Sequence, residues 1–77
     1  MTWRDHISLD PAILIGKPVV KGTRIAVEFV LELLVAGWSF EEILENYPGM
    51  TADHIRACIA YAKEAVSGES VYPGATA

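Results

Sequence analysis

The stretch that decides the fold is Gly16-Lys17-Pro18-Val19-Val20-Lys21-Gly22-Thr23-Arg24. It carries three of the six basic residues of the 77-residue chain, and no acidic residue occurs between Pro11 and Val27. Two glycines and a proline so close together are typical of a tight, shaped turn rather than of a flexible basic arm. Because helical sequence follows directly, the stretch predicts a corner between two parts of the fold and a candidate site for an anionic partner.

Four residues of this corner are predicted to be a structural motif. Gly16 and Gly22 supply backbone angles that are closed to other residues, and Pro18 shapes the turn between them. Thr23 is expected to hydrogen-bond the start of the next helix. In this interpretation the Gly-Thr-Arg sequence is a structural corner.

The basic side chains of the stretch divide by expected role. Arg24 either pairs with Glu28, four residues further on, or contacts a phosphate group. Lys17 and Lys21 have no evident structural partner in the sequence. We therefore predict that these two lysines are the stronger candidates for contacts with DNA.

Short apolar runs ahead of the helices predict a small hairpin or β-arm. Residues 7–9 and 13–15 are separated by Asp10-Pro11, and residues 19–20 follow the Gly-Lys-Pro turn. Such an arm is marginal alone and leaves strand edges unpaired. Pairing with a second copy of the chain would satisfy those edges.

Residues 25–36 are apolar almost all round and predict the first helix. Glu28 and Glu32, four residues apart, mark its exposed stripe. A helix this apolar is either central to the core or shared with a partner. Gly37 is well placed to end it.

Two further helices are indicated by capping signals. Ser39 and Glu42 have the spacing of a capping box, and Pro48-Gly49 ends the helix that this box opens. Thr51 is a good N-cap for a third helix that runs to about Ser67. The predicted apolar stripe of the third helix comprises Ile55, Cys58, Ile59, Ala62 and Val66.

The predicted fold is mainly α: a tri-helical, helix-turn-helix-like bundle with a short N-terminal β-arm or hairpin. Residues 1–77 are predicted to form a single domain. It comprises the β-arm and basic turn over residues 1–24, the three-helix bundle over 25–67, and a flexible tail over 68–77.

Composition indicates a partner and a compartment. Apolar residues make up 52% of the chain and the mean hydropathy is +0.30, both high for a small domain. We interpret the surplus as a surface buried in a homodimer; a tightly packed monomer is the alternative.

Glu28 and Glu32 interrupt the longest apolar run, which excludes a membrane span. Residues 1–6 lack the apolar stretch of a signal peptide, so the cytoplasm is the expected compartment.

Charge is unevenly distributed along the chain. Residues 1–27 carry a balance of +2, whereas residues 28–77 carry −6. We therefore expect that the two ends of the domain meet different partners, or that copies of the chain meet each other. The alternative is that the acidic residues form a solvated face.

Four motifs recur in the order of a known family. They are Asp10-Pro11, the stretch from Gly16 to Ile25, the segment 37–43, and Tyr47-Pro48 followed by Thr51. With these motifs, residues 7–62 resemble the small bacterial family catalogued as domain of unknown function 433. The resemblance implies a helix-turn-helix-like fold. Some members of that family resemble antitoxins of the VapB type, which are encoded beside PIN-like ribonuclease toxins. Family members commonly have proline where this chain has Ala26, and a helix start tolerates that difference.

The predicted recognition helix is poorly charged for DNA. One flank of its outward face carries Arg56 and Lys63 around Ala60, and the other carries Asp53 and Glu64 around Ala57. These charges cancel, and no Asn or Gln is offered for reading adenine. The helix before it would bring three glutamates near phosphates. The candidate DNA-binding residues are Lys17, Lys21, Arg24, Arg56 and Lys63.

Catalytic chemistry is not predicted. His6 and His54 are far apart in sequence, so each is expected at a surface or helix start rather than in a dyad. Cys58 lies on an apolar stripe, where a buried and inert thiol is usual. A single cysteine excludes an internal disulfide, and no cluster of Cys and His has the spacing of a metal or cofactor site.

We therefore expect a small antitoxin-like regulator that neutralises a PIN-like toxin and binds promoter DNA as a dimer. The alternative is a protein–protein interaction module that has the helix-turn-helix fold and does not bind DNA.

Overall fold

A two-stranded hairpin precedes three helices. The computed structural model describes residues 2–68. Strand β1 (Ile7–Ser8) pairs antiparallel with strand β2 (Val19–Val20), so that Ile7 lies opposite Val20. The prediction of a mainly α fold with an N-terminal hairpin is confirmed. The predicted flexible tail lies, apart from Gly68, outside the described residues.

Two tight turns connect the strands. The Asp10 carboxylate accepts a hydrogen bond from the Ala12 N–H (2.9 Å), and the Asp10 carbonyl accepts one from the Ile13 N–H (3.0 Å). Leu14–Gly16 then forms a left-handed turn, because its residues all have positive φ, of 48°, 56° and 79°. The Gly16 N–H donates to the Ile13 carbonyl (3.0 Å) and the Lys17 N–H to the Leu14 carbonyl (3.1 Å). The apolar run 13–15 is therefore not a strand, because these turns use its residues to reverse the chain.

Helix α1 (Val27–Val35) begins two residues later than predicted. The Ile25 carbonyl accepts a hydrogen bond from the Val20 N–H (2.9 Å), so it serves the hairpin rather than the helix. Ala26 has an extended backbone, with φ −71° and ψ 145°. The helix ends before Gly37, whose φ of 97° suits the predicted position just beyond the helix end.

Helix α2 (Phe40–Asn46) begins with the predicted capping box. The Glu42 N–H donates to the Ser39 hydroxyl (3.1 Å), and the Ser39 N–H donates to the Glu42 carboxylate (2.8 Å). A tight turn follows the helix, closed by a hydrogen bond from the Met50 N–H to the Tyr47 carbonyl (2.9 Å).

Helix α3 (Ala52–Ser67) has the predicted N-cap and the predicted end at Gly68. The Thr51 hydroxyl accepts from the His54 N–H (3.2 Å), and the Thr51 N–H donates to His54 Nδ1 (3.1 Å). His54 therefore takes the place that Glu or Gln occupies in most capping boxes.

The core lies where the hairpin, α1, α2 and α3 meet. The described side chains that are both large and fully buried are Ile43, Ile55, Val19, Val20, Val27, Val30 and Cys58. Both valines of β2 are among them, so the hairpin is an integral part of the core rather than a projecting arm.

Three residues of α3 differ from their predicted positions. Ala57, expected on the outward face, is fully buried. The N-terminal 3-10 turn (Trp3–Asp5) packs against α3 and covers that flank. Ile59 and Val66, expected on the buried stripe, are 42% and 67% exposed.

Within residues 2–68, the helices are too short or too polar to cross a bilayer.

Replacing Gly22 with alanine should lower the free energy of unfolding by about 1 kcal/mol. Gly22 has a φ of 79°, and a Cβ placed there would meet no atom within 4 Å, so the cost arises from backbone strain alone. Urea unfolding measures it. Gly22→Asn is the control and should lose less, because asparagine tolerates this region better. Equal losses in the two variants would contradict the strain account.

Candidate interaction surface

The basic stretch folds into a corner held by backbone and hydroxyl hydrogen bonds. The Thr23 hydroxyl donates to the Val20 carbonyl (2.8 Å) and accepts from the Ile25 N–H (2.9 Å). The Val27 N–H, at the first turn of α1, donates to the Pro18 carbonyl (2.9 Å). This bond satisfies an N–H group that a helix leaves without an internal partner. Thr23 thus lies inside the corner and does not cap α1. Its hydroxyl bonds the N–H of Ile25, the predicted first residue of the helix, whereas α1 begins at Val27.

Both lysines of the corner have structural contacts that the sequence did not reveal. Lys17 Nζ lies 3.0 Å from Glu28 Oε1, and Lys21 Nζ donates to the Arg4 carbonyl (3.2 Å). The suggested pairing of Arg24 with Glu28 is wrong, because Lys17 occupies that carboxylate. Within residues 2–68, Arg24 is exposed and makes no ion pair.

The Lys17–Glu28 pair weakens the case for a phosphate site at this position. Both side chains are more than half exposed, and such a pair contributes about 0–1 kcal/mol. A phosphate could displace Glu28 from Lys17 at that cost. The released carboxylate would then lie beside the phosphate and repel it.

The outward side of α3 offers little net positive charge. Arg56 donates to the Asp53 carboxylate at 2.8 Å, so one candidate DNA-binding residue is paired on its own helix. Lys63 is exposed and has no ion-pair partner among residues 2–68. Of the five candidate DNA-binding residues, Lys17, Lys21 and Arg56 have polar partners, whereas Arg24 and Lys63 have no ion-pair partner within residues 2–68.

Helix α2 presents an acidic side to solvent. Glu41 and Glu45, four residues apart, are exposed and point away from Ile43, which is the buried residue of this helix. Neither makes an ion pair within residues 2–68. In a helix-turn-helix complex this side would approach the DNA backbone, where two uncompensated carboxylates are unfavourable.

The N-terminal turn is clamped to α3 by aromatic and polar contacts. The Trp3 ring meets the Tyr61 ring edge to face, with centroids 4.8 Å apart, and the Trp3 indole N–H donates to Glu64. The Arg4 guanidinium lies over the Trp3 ring at 4.4 Å and 3.7 Å from Glu64. Trp3 thus packs within the fold, and Glu64 is engaged by this clamp.

His6 and His54 are neighbours in space, contrary to the expectation from their separation in sequence. Their rings meet edge to face with centroids 5.3 Å apart. Burial and the nearby His6 lower the pKa of His54, and Asp53 opposes this shift. A neutral imidazole suits its position, because Nδ1 must accept the Thr51 N–H at a helix N-terminus. The T-x-x-H spacing was the sequence signal for this cap.

Cys58 is fully buried, as predicted, and burial raises its pKa to about 11. Its thiol is therefore protonated at neutral pH and poorly reactive. Among residues 2–68, no three His, Cys, Asp or Glu side chains lie close enough to hold a metal ion.

Acidification should destabilise the protein through His54. Because its folded-state pKa lies below the ordinary 6.5, the unfolded chain binds the proton more readily. The stabilising contribution is fully present above about pH 7.5 and is lost as pH falls through 6.5 toward the folded-state pKa. Urea unfolding between pH 5 and pH 8 (roughly one unit or more either side of 6.5) measures this loss.

His54→Gln is the matched control for the pH series. Glutamine can still accept the Thr51 N–H, but it does not titrate. The stability of the variant should therefore fall less than that of the wild type over the same range. Parallel pH profiles would show that His54 is not the responsible group.

Two apolar grooves flank α1. The first, of about 290 Å³, lies between α1 and the C-terminal half of α3, and the second, of about 450 Å³, lies between α1 and the Leu14–Gly16 turn. Glu28 lines both grooves, so the Lys17–Glu28 pair stands between them. The first groove is lined by Pro18, Val27, Glu28, Leu31, Tyr61, Ala62, Ala65 and Val66.

Ile15 is the most exposed large apolar side chain of the described residues, at 97%, and it borders the second groove. Its φ of 56° is uncommon for a β-branched residue. The exposure of Ile15 could not be predicted from the sequence, because an apolar run gives no sign of which residue faces solvent.

Residues 7–62 match the family described as Protein of unknown function (DUF433). A curated relative, "Uncharacterized protein y4eO" of Sinorhizobium fredii (strain NBRC 101917 / NGR234), is 42% identical over 60 residues. That match covers 78% of this chain and 27% of the relative, so this chain spans about a quarter of the relative's length.

A crystal structure of a DUF433 member protein from Anabaena variabilis ATCC 29413 has a similar fold. The TM-score is 0.76 at 28% sequence identity. The match covers 84% of this chain and 64% of the Anabaena protein chain.

Proposed function

The chain belongs to the DUF433 family, and from this premise we propose that it is an antitoxin-like protein-binding module. In this proposal a homodimer covers the surface of a basic protein partner, a PIN-like ribonuclease toxin, and acts by stoichiometric neutralisation in the cytoplasm. The observation that carries the proposal is the outward acidic side of α2, where Glu41 and Glu45 are exposed and without ion-pair partners within residues 2–68.

The charges of the fold favour a basic protein over DNA as the partner. Three candidate DNA-binding side chains already contact an acidic residue or a backbone carbonyl, namely Lys17, Lys21 and Arg56. Complementary charge accelerates the encounter of two proteins and disfavours partners of the wrong sign. The exposed carboxylates on α2, which have no ion-pair partner within residues 2–68, would therefore attract a basic surface and repel a phosphate backbone.

DNA binding is the second candidate function, and Arg24 and Lys63 favour it. Both side chains are exposed without an ion-pair partner within residues 2–68. A dimer would present each of them twice. Affinity for DNA rises with the number of phosphates that are neutralised, so doubling these contacts would raise the affinity of the dimer, most strongly at low salt.

Charge reversal on α2 tests the protein-binding role. The protein is co-expressed with a PIN-like ribonuclease encoded beside a gene of this family, and complex formation and ribonuclease activity are measured. We expect a stoichiometric complex that inhibits the nuclease. Glu41→Lys combined with Glu45→Lys should weaken this complex by about tenfold or more.

Arg24→Glu combined with Lys63→Glu is the matched control. This double variant should retain the complex with the nuclease, whereas it should abolish any salt-dependent shift of promoter DNA. Failure of the wild type to bind or inhibit the nuclease would overturn the antitoxin-like proposal. A DNA shift that depends on Arg24 and Lys63 would establish the second candidate instead.

A further inference from the structure

One surface of the molecule carries an apolar protrusion and an apolar groove on opposite sides of an ion pair. The protrusion is Ile15, which is 97% exposed beside the second groove. The ion pair is Lys17–Glu28, at 3.0 Å. Beyond it lies the groove between α1 and α3, to which Leu31 and Val66 contribute apolar lining.

The backbone holds Ile15 in a conformation that a side chain of this type avoids. Leu14 and Ile15 both have positive φ, at 48° and 56°, a conformation that crowds the Cβ of a non-glycine residue against the following carbonyl oxygen. Strained residues of this kind persist where the surrounding structure fixes them, and they cluster at sites that contact other molecules. Here the strain presents an isoleucine to solvent, where it is almost unburied by residues 2–68.

We propose that this surface is the interface of a two-fold homodimer, in which Ile15 of each copy occupies the α1–α3 groove of the other. A two-fold interface must be complementary to itself, so a protrusion on one side of the axis requires a recess on the other. An axis that passes by the Lys17–Glu28 pair relates the protrusion to the groove in this way.

Charge complementarity supports a second copy as the occupant. The same axis places Lys17 of one copy near Glu28 of the other, and Glu28 of the first near Lys17 of the second. Opposite charges therefore face each other across the interface. A partner with a uniformly charged surface would repel one member of the pair. The first groove is apolar around this pair, which suits the isoleucine side chain.

This inference rests on the homodimer included in the proposed function, and it names the surface that forms it. It leaves the acidic side of α2 free in both copies. Loss of the interface and loss of toxin binding are therefore separate outcomes, because they are measured on different surfaces with different variants.

Ile15→Asn tests the interface by sedimentation equilibrium. Asparagine accepts positive φ more readily than isoleucine, so the variant should fold at least as well as the wild type in circular dichroism and thermal unfolding. We expect the wild type to be a dimer and Ile15→Asn to dissociate about a hundredfold or more readily, because two buried isoleucines are lost per dimer. Val35→Asn is the control: Val35 is 87% exposed and lines neither groove.

Cross-linking tests which residues meet. Ile15→Cys and Ala62→Cys proteins are mixed and mildly oxidised; Cys58 is buried and should not react. We expect a disulfide-linked pair in the mixture and none in either protein alone. A monomeric wild type would overturn both the homodimer and the interface. A dimer that Ile15→Asn and Val35→Asn affect equally, or species larger than two chains, would overturn the interface alone.

Discussion

The hydrogen bond from the Val20 N–H to the Ile25 carbonyl closes the basic stretch into a loop, and the bond from Val27 to Pro18 attaches it to α1. These bonds keep β2 beside the first turn of α1, so both valines of the strand reach the core. The same attachment places Lys17 against Glu28. The stretch has the composition of a basic patch, but its main role in the structure is to attach the hairpin to the helices.

Much of the helical part could be predicted because its signals are local. Ser39, Glu42 and Thr51 form caps from contacts within three residues, and Gly37 and Gly68 mark helix ends. Ala57 and the two histidines could not be placed in this way. Their surroundings are created when the N-terminal turn and β1 pack across α3, and helical periodicity carries no information about that packing.

The ion-pair partners of the basic residues also could not be predicted from sequence spacing. Sequence spacing offered Arg24 as the partner of Glu28, because four residues separate them, but the corner turns Lys17 toward that carboxylate instead. Pairing then removes most of the basic stretch from consideration as a phosphate site. It leaves the acidic side of α2 and the apolar surface around Ile15 as the exposed features that a partner would recognise.

Native-state hydrogen exchange at Val20 and Val27 tests the corner most directly. If the corner is part of the cooperative core, both amides should exchange only through global unfolding, with the same free energy as buried amides such as that of Cys58 in the middle of α3. Exchange of Val20 and Val27 at a clearly lower free energy would mean that the hairpin opens independently of the helices. That result would contradict the claim that the corner fixes the fold.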